Sequence, residues 1–242
     1  MRTILALILG LLAAPAPADE AEDAFVTANL LSILYHQLGH ALIDTVAPPV
    51  SGPPEEAADV ASILLINAIF EEDAAQDIAY HSAFGFMAAA TAAKEGAQAP
   101  AYWAEHGADE RRFYDLVCLF YGAAPEDRAD IAAEMGLPAA RAETCPDAFR
   151  RADESWGRVW EQLSDAETGE KLRFAGQGGG PAASLIHDEI RALNESFTFP
   201  APLTVAVQSC GRADAFYDPA ARAITLCTEF APHLRALYAR LK

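Results

Sequence analysis

A mainly helical α+β fold with a small C-terminal sheet is what this sequence predicts, on three observations. Apolar residues recur at three- and four-residue intervals over most of the first 200 positions. Proline and glycine clusters cut that pattern into helix-sized pieces. Only near the C-terminus does the pattern change to short β-rich runs. The 242 residues, 52% of them hydrophobic, suffice for one substantial core, and a single domain over 19–242 is expected.

Residues 1–18 read as a signal peptide. Arg2 supplies the positive charge, Ile4 to Ala14 the apolar stretch, and Ala16-Pro17-Ala18 the small-residue cleavage site. Cleavage near Ala18 would release a chain beginning at Asp19, exported to the periplasm or beyond. The stretch is shorter than the roughly 20 apolar residues a membrane span needs, so no span is expected in the mature chain.

Asp23 to Val46 reads as one helix, with Val26, Leu30, Ile33, Leu34, Leu38 and Leu42 in register. The run Ala47-Pro48-Pro49-Val50-Ser51-Gly52-Pro53-Pro54 ends it and forms a stiff loop. Pro54, Glu55 and Glu56 suit the start of a second helix reaching about Phe70, since proline fits the first turn and carboxylates its positive end. Further helices are expected over Asp73–Glu95, Asp109–Gly122, Pro125–Met135, Pro138–Leu163 and Pro181–Phe197. Gly176-Gln177-Gly178-Gly179-Gly180 is a hinge; no Lys-Ser/Thr follows it, so it is a poor phosphate loop. Leu203–Val207 and Ala223–Cys227 are expected as strands joined through a turn at Tyr217-Asp218-Pro219, with Lys171–Phe174 as a possible third and Pro232–Leu241 as a closing helix.

A formal net charge of −18 repels phosphate backbones and anionic lipid, which argues against nucleic-acid and membrane-surface partners. The four cysteines suit an oxidising compartment. Three pairings exist in principle. The sequence-local one, Cys118 with Cys145 and Cys210 with Cys227, is favoured because each pair brackets one supersecondary unit. A four-thiolate zinc site lacks any C-x-x-C spacing.

The stretch His36-Gln37-Leu38-Gly39-His40 carries the chemistry. Histidines four apart on a helix project from one face, one turn apart, as two ligands of one metal ion. Two histidines alone are a weak pattern in a chain with six. Here, though, they sit on a strongly apolar helix, where polar rings need a partner. Gly39 between them leaves space for close backbone approach. Glu55 and Asp59 then follow as E-x-x-x-D, two carboxylates on one helical face. Glu55 is read as the third ligand of a Zn²⁺ site, with Glu56 its competitor. Asp59 is read as the group that accepts the free ring N–H of a ligand histidine and fixes its tautomer. Peptidase helices of the H-E-x-x-H kind carry Glu after the first histidine as general base. Here that position is Gln37.

These residues resemble a bacterial family known only as "putative metallopeptidases". The resemblance runs through Asn29-Leu30-Leu31, the stretch from Tyr35 to Asp44, Glu55-Glu56-Ala57-Ala58-Asp59, His106-Gly107 and Arg112-Phe113-Tyr114. It continues through Cys118-Leu119-Phe120-Tyr121-Gly122, Cys210-Gly211, the stretch from Ala215 to Pro219, and Ile224 to Glu229. It covers nearly the whole mature chain. The family pattern has Glu at Gln37, Asn at Asp214 and usually an aromatic residue at Thr228. The site is also similar to that of thermolysin-like enzymes, in which a Glu from a later helix completes the histidine pair. The resemblance implies a zincin-like helix pair and a metal-dependent hydrolase of peptides or proteins outside the cytoplasm.

An amide at position 37 can neither take up nor deliver a proton, so weak or absent hydrolysis is expected. His106 and, less so, Tyr217 are candidates to stabilise an oxyanion; the plain alternatives are a loop-to-helix cap and a hairpin aromatic. Trp103, Trp156 and Trp160 read as packing residues. The rival to a degenerate peptidase is a non-catalytic periplasmic module that binds peptide or protein on the same fold.

Overall fold

The computed structural model describes residues 20–50, 52–94, 109–165, 172–176 and 179–241. The signal peptide, Trp103 and His106 lie outside these residues.

The architecture is α+β and mainly helical. Helices α1 (Glu20–Val46), α2 (Pro54–Ile69), α3 (Glu72–Lys94) and α4 (Asp109–Ala123) precede short α5 (Ala129–Glu134) and α6 (Ala139–Ala142) and long α7 (Cys145–Asp165). Strand β1 (Leu172–Phe174), helix α8 (Pro181–Ser196), strands β2 (Leu203–Gln208), β3 (Ala215–Asp218) and β4 (Ala223–Cys227), and helix α9 (Phe230–Tyr238) complete the order.

Helix α1 is central. It is buried from Phe25 to Leu42 on nearly every side, as expected of a helix apolar all round. It packs against α2, α3, α8, α9 and the β3–β4 side of the sheet. It stops at Ala47, which turns left-handed (φ 49°) just before Pro48. The buried apolar side chains form one connected core, to which Trp156, 1% exposed, contributes while stacking on Trp160 at 5.2 Å.

The sheet order is β1-β2-β4-β3. β1, β2 and β4 run parallel and β3 runs antiparallel to β4. This corrects the expected hairpin. The runs 203–208 and 223–227 are parallel neighbours, and Tyr217 lies within β3 rather than in a turn. The reversal falls one step later, over residues 219–222, where the Asp218 carboxylate accepts the Ala220 and Ala221 N–H groups.

Two helices also differ from expectation. The expected helix 138–163 is two, because Pro146 sits in the first turn of α7, where its ring is tolerated, and cannot lie within a continuous helix. The helix expected from Pro125 begins at Ala129. The turn before it is held by buried Arg128, which donates to both Glu72 carboxylate oxygens (2.8 and 2.7 Å) and to the Phe120 carbonyl (2.7 Å).

Both sequence-local disulfides are present, Cys118–Cys145 and Cys210–Cys227. The first joins α4 to α7 beside Gly122, where any Cβ would lie 2.3 Å from the Cys145 carbonyl oxygen. With a sequence separation of 27, opening it is expected to cost about 3–4 kcal/mol through the freed unfolded chain. Urea unfolding of wild type and of a Cys118→Ser/Cys145→Ser variant measures this; an unchanged midpoint would count against it.

Candidate metal centre

Close approach of α1 and α2 builds the site. A Cβ on Gly39 would lie 3.0 Å from the Ala58 Cα and 3.1 Å from the Ala61 Cβ. Ala58 and Ala61 are fully buried. Gly39 lies between His36 and His40, and Ala58 lies between Glu55 and Asp59. The small residues therefore bring the histidine-bearing turn of α1 against the first turns of α2.

Three donor atoms converge there. His40 Nε2 lies 3.1 Å from His36 Nε2 and 3.2 Å from Glu55 Oε2, and His36 Nε2 lies 3.3 Å from the same Glu55 oxygen. A tetrahedral metal with bonds of about 2.0–2.1 Å sets its ligand atoms about 3.3–3.4 Å apart. The triangle is of that size. Asp59 Oδ1 accepts from His36 Nδ1 at 2.8 Å, so in the neutral ring, the form that binds a metal, the Nε2 lone pair faces both a second imidazole and a carboxylate oxygen. A central cation satisfies all three donors at once, so the residues fit a divalent metal.

Burial opposes charge on His36, but the Asp59 carboxylate outweighs it and holds the ring's pKa above the ordinary histidine value. Burial also works against ionised Asp59, yet the Arg112 guanidinium and the His36 ring hold its carboxyl well below the usual range. Arg112 does so with a two-pronged contact, Nε to Oδ2 at 2.8 Å and Nη2 to Oδ1 at 2.7 Å. Its guanidinium also stacks over the Phe86 ring at 4.3 Å. The result is a charged chain from α4 through Asp59 to the ligand ring. The His36 side chain is 3% exposed, while Glu55 keeps 31% and His40 16% of theirs. Solvent reaches the donors from the Glu55 side.

Other candidates separate from this cluster. Glu56, the competing third ligand, pairs with Arg111 at 2.9 Å. Gln37 is 3% exposed, and its Nε2–H donates to the Ala215 carbonyl of β3 at 3.2 Å. Tyr217 donates its hydroxyl to Asp44 at 2.9 Å; burial and that carboxylate push its pKa up to about 12. A second group, Cys210, Cys227 and Glu229, also gathers. Its sulfurs are bonded to each other, and Glu229 is taken by Ser209 and by the backbone N–H groups of Cys210 and Gly211.

Arg112 was not among the residues singled out for the site. Its signal was present: an arginine directly before the apolar face Phe113, Leu116, Val117 and Phe120 needs a buried partner. Arg112→Met is expected to weaken metal binding about 10–100-fold, the usual cost of losing an outer partner of a ligand. Arg112→Lys restores only part of it, since an ammonium cannot make the paired contact. Titration calorimetry with the metal reads both variants, and wild-type affinity in Arg112→Met would remove the arginine from the site.

His36, His40 and Glu55 form a group of donors that could hold a metal ion, as a metal-dependent, peptidase-like protein requires. The chain belongs to the family described as "Putative metallopeptidase", whose pattern matches residues 11–160 and 181–242. No curated protein and no solved structure matches the chain.

Proposed function

We propose that this is an exported zinc protein of the metallopeptidase family whose hydrolytic power is weak because Gln37 stands in place of the general base. The observation that carries the reading is the triangle of donor atoms from His36, His40 and Glu55, each edge between 3.1 and 3.3 Å. Two imidazoles and one carboxylate form a donor set that suits zinc and leaves a position for a ligand. Bound there, zinc supplies Lewis acidity that polarises a carbonyl and acidifies water. The chain's own residues do the rest. Asp59 fixes the tautomer of His36, Arg112 holds Asp59, and Glu55 contributes the one negative charge among the ligands. Gln37 can donate a hydrogen bond but cannot accept a proton, so general-base assistance worth about 10²–10⁴-fold is missing.

The substrate class is peptide or protein outside the cytoplasm. Residues 1–18 support export, as do the two disulfides. Among the described residues no helix is long and apolar enough to cross a membrane. The amide at Gln37, which cannot act as a general base, favours a second reading, a non-catalytic peptide- or protein-binding module that keeps zinc for structure.

Elemental analysis of the purified mature chain tests the first claim: about one zinc per chain is expected, lost on chelation. Absence of zinc after incubation with an excess of the ion overturns it. Hydrolysis of labelled casein then separates the two readings, since slow, chelator-sensitive cleavage marks a weakened enzyme and none marks a binder.

A further inference from the structure

We propose that the pocket between α2 and α4 is a binding site for a free α-amino acid with a large apolar side chain. The inference goes beyond the metal centre and does not rest on zinc. The pocket encloses about 230 Å³, against the roughly 150 Å³ of an apolar cavity that takes up benzene. An aromatic ring with its methylene therefore fits inside. Ile63 of α2, Phe86 of α3, and Leu116 and Leu119 of α4 form its walls. All four are buried and still border open space. Water gains few hydrogen bonds from such walls, so an apolar side chain displaces it favourably.

Polar groups on the inner wall are already engaged. Arg112 holds the Asp59 carboxylate through two hydrogen bonds, and the Ser62 hydroxyl donates to the Ser32 carbonyl at 3.0 Å. The interior therefore suits a side chain without charge.

The rim is different, because its charges alternate in sign. Glu56 pairs with Arg111 at 2.9 Å, Arg111 reaches Asp115 at 3.4 Å, and Arg141 meets the same Asp115 at 2.6 Å. These four side chains line the pocket and are 40–65% exposed, which places them at its mouth. Exposed pairs of this kind are worth little to the fold and are readily shared with a ligand. An α-amino acid carries an ammonium and a carboxylate on one carbon, close enough together to meet two neighbouring rim charges. Laid across Glu56 and Arg111, its ammonium meets the carboxylate and its carboxylate meets the guanidinium. A rim with equal numbers of each sign, on a chain of net charge −18, favours a neutral zwitterion over an anion.

The experiment uses the purified mature chain. Fluorine NMR of 4-fluoro-L-phenylalanine reads binding, and unlabelled compounds are ranked by displacing it. L-Phenylalanine is expected to displace the label at least about tenfold more strongly than L-alanine, through burial of its side chain. Phenethylamine and 3-phenylpropionate, which each lack one charge of the head group, should be about three- to tenfold weaker than L-phenylalanine. This ranking needs no variant. Arg111→Gln should weaken binding by a similar factor. Ala148→Phe, which fills the pocket from a half-buried position on α7, should abolish it. Glu55→Ala should leave it unchanged, so failure of the metal reading is seen separately. Absence of saturable binding, or equal displacement by alanine and phenylalanine, overturns the proposal. So does binding that survives Ala148→Phe and is lost in Glu55→Ala, since the amino acid would then sit at the metal centre.

Discussion

Glu55→Ala is expected to abolish tight metal binding while leaving the fold in place. Glu55 is the cleanest ligand to remove because its side chain is 31% exposed and sits in the first turn of α2. Its loss opens no hole in the core and leaves the Arg112–Asp59–His36 chain intact. His36→Ala, by contrast, would leave the Asp59 carboxylate facing a cavity, so a drop in stability would confuse the result. Without Glu55 the site holds only two neutral donors and no negative ligand. The fall in affinity should exceed the roughly 10–100-fold that removal of an outer partner produces. Thermal unfolding with and without zinc reads this directly. A ligand present at 1,000 times its Kd stabilises the native state by about 4 kcal/mol, so the wild-type midpoint should rise with added zinc and the Glu55→Ala midpoint should not. Equal zinc-induced shifts would mean that the carboxylate is no ligand.

The metal helix pair was legible because its signals are local. Histidines four apart and carboxylates four apart each fall on one helical face whatever the rest of the chain does, and Gly39 marked where the helices meet. What was not legible lay in partners distant along the chain. Asp59 and Arg112 are 53 residues apart. Gln37 and Ala215 are 178 apart; nothing in a glutamine's neighbours tells which backbone carbonyl its amide will find.

The sheet shows the same limit. Runs 203–207 and 223–227 are strongly β-like, and their spacing predicts two arms of one hairpin. β3, with only the four residues Ala-Phe-Tyr-Asp, carries too little alternation to announce itself. Its pairing with β4 makes the hairpin, and β2 joins β4 in parallel from the other side. The split between α6 and α7 was legible and missed, since Pro146 cannot lie within a continuous helix.

Gln37→Glu is expected to raise metal-dependent hydrolysis of labelled casein by about 10²–10⁴-fold. The carboxylate supplies the proton acceptor that the amide lacks. It cannot donate to the Ala215 carbonyl, so that hydrogen bond is lost. Gln37→Met, which also removes the amide but adds no base, should cleave casein no faster than wild type. The Glu variant should lose about 1–3 kcal/mol of stability in the metal-free protein, from one lost hydrogen bond and a carboxylate placed in a site only 3% exposed. Zinc held by the adjacent His36 would offset part of this loss by favouring the charged form. The decisive comparison is wild type against Gln37→Glu, each with and without chelator. Chelator-sensitive cleavage by the wild type at the rate of the Glu variant would show that the chain has a working base elsewhere, and that residue 37 is not what limits its chemistry.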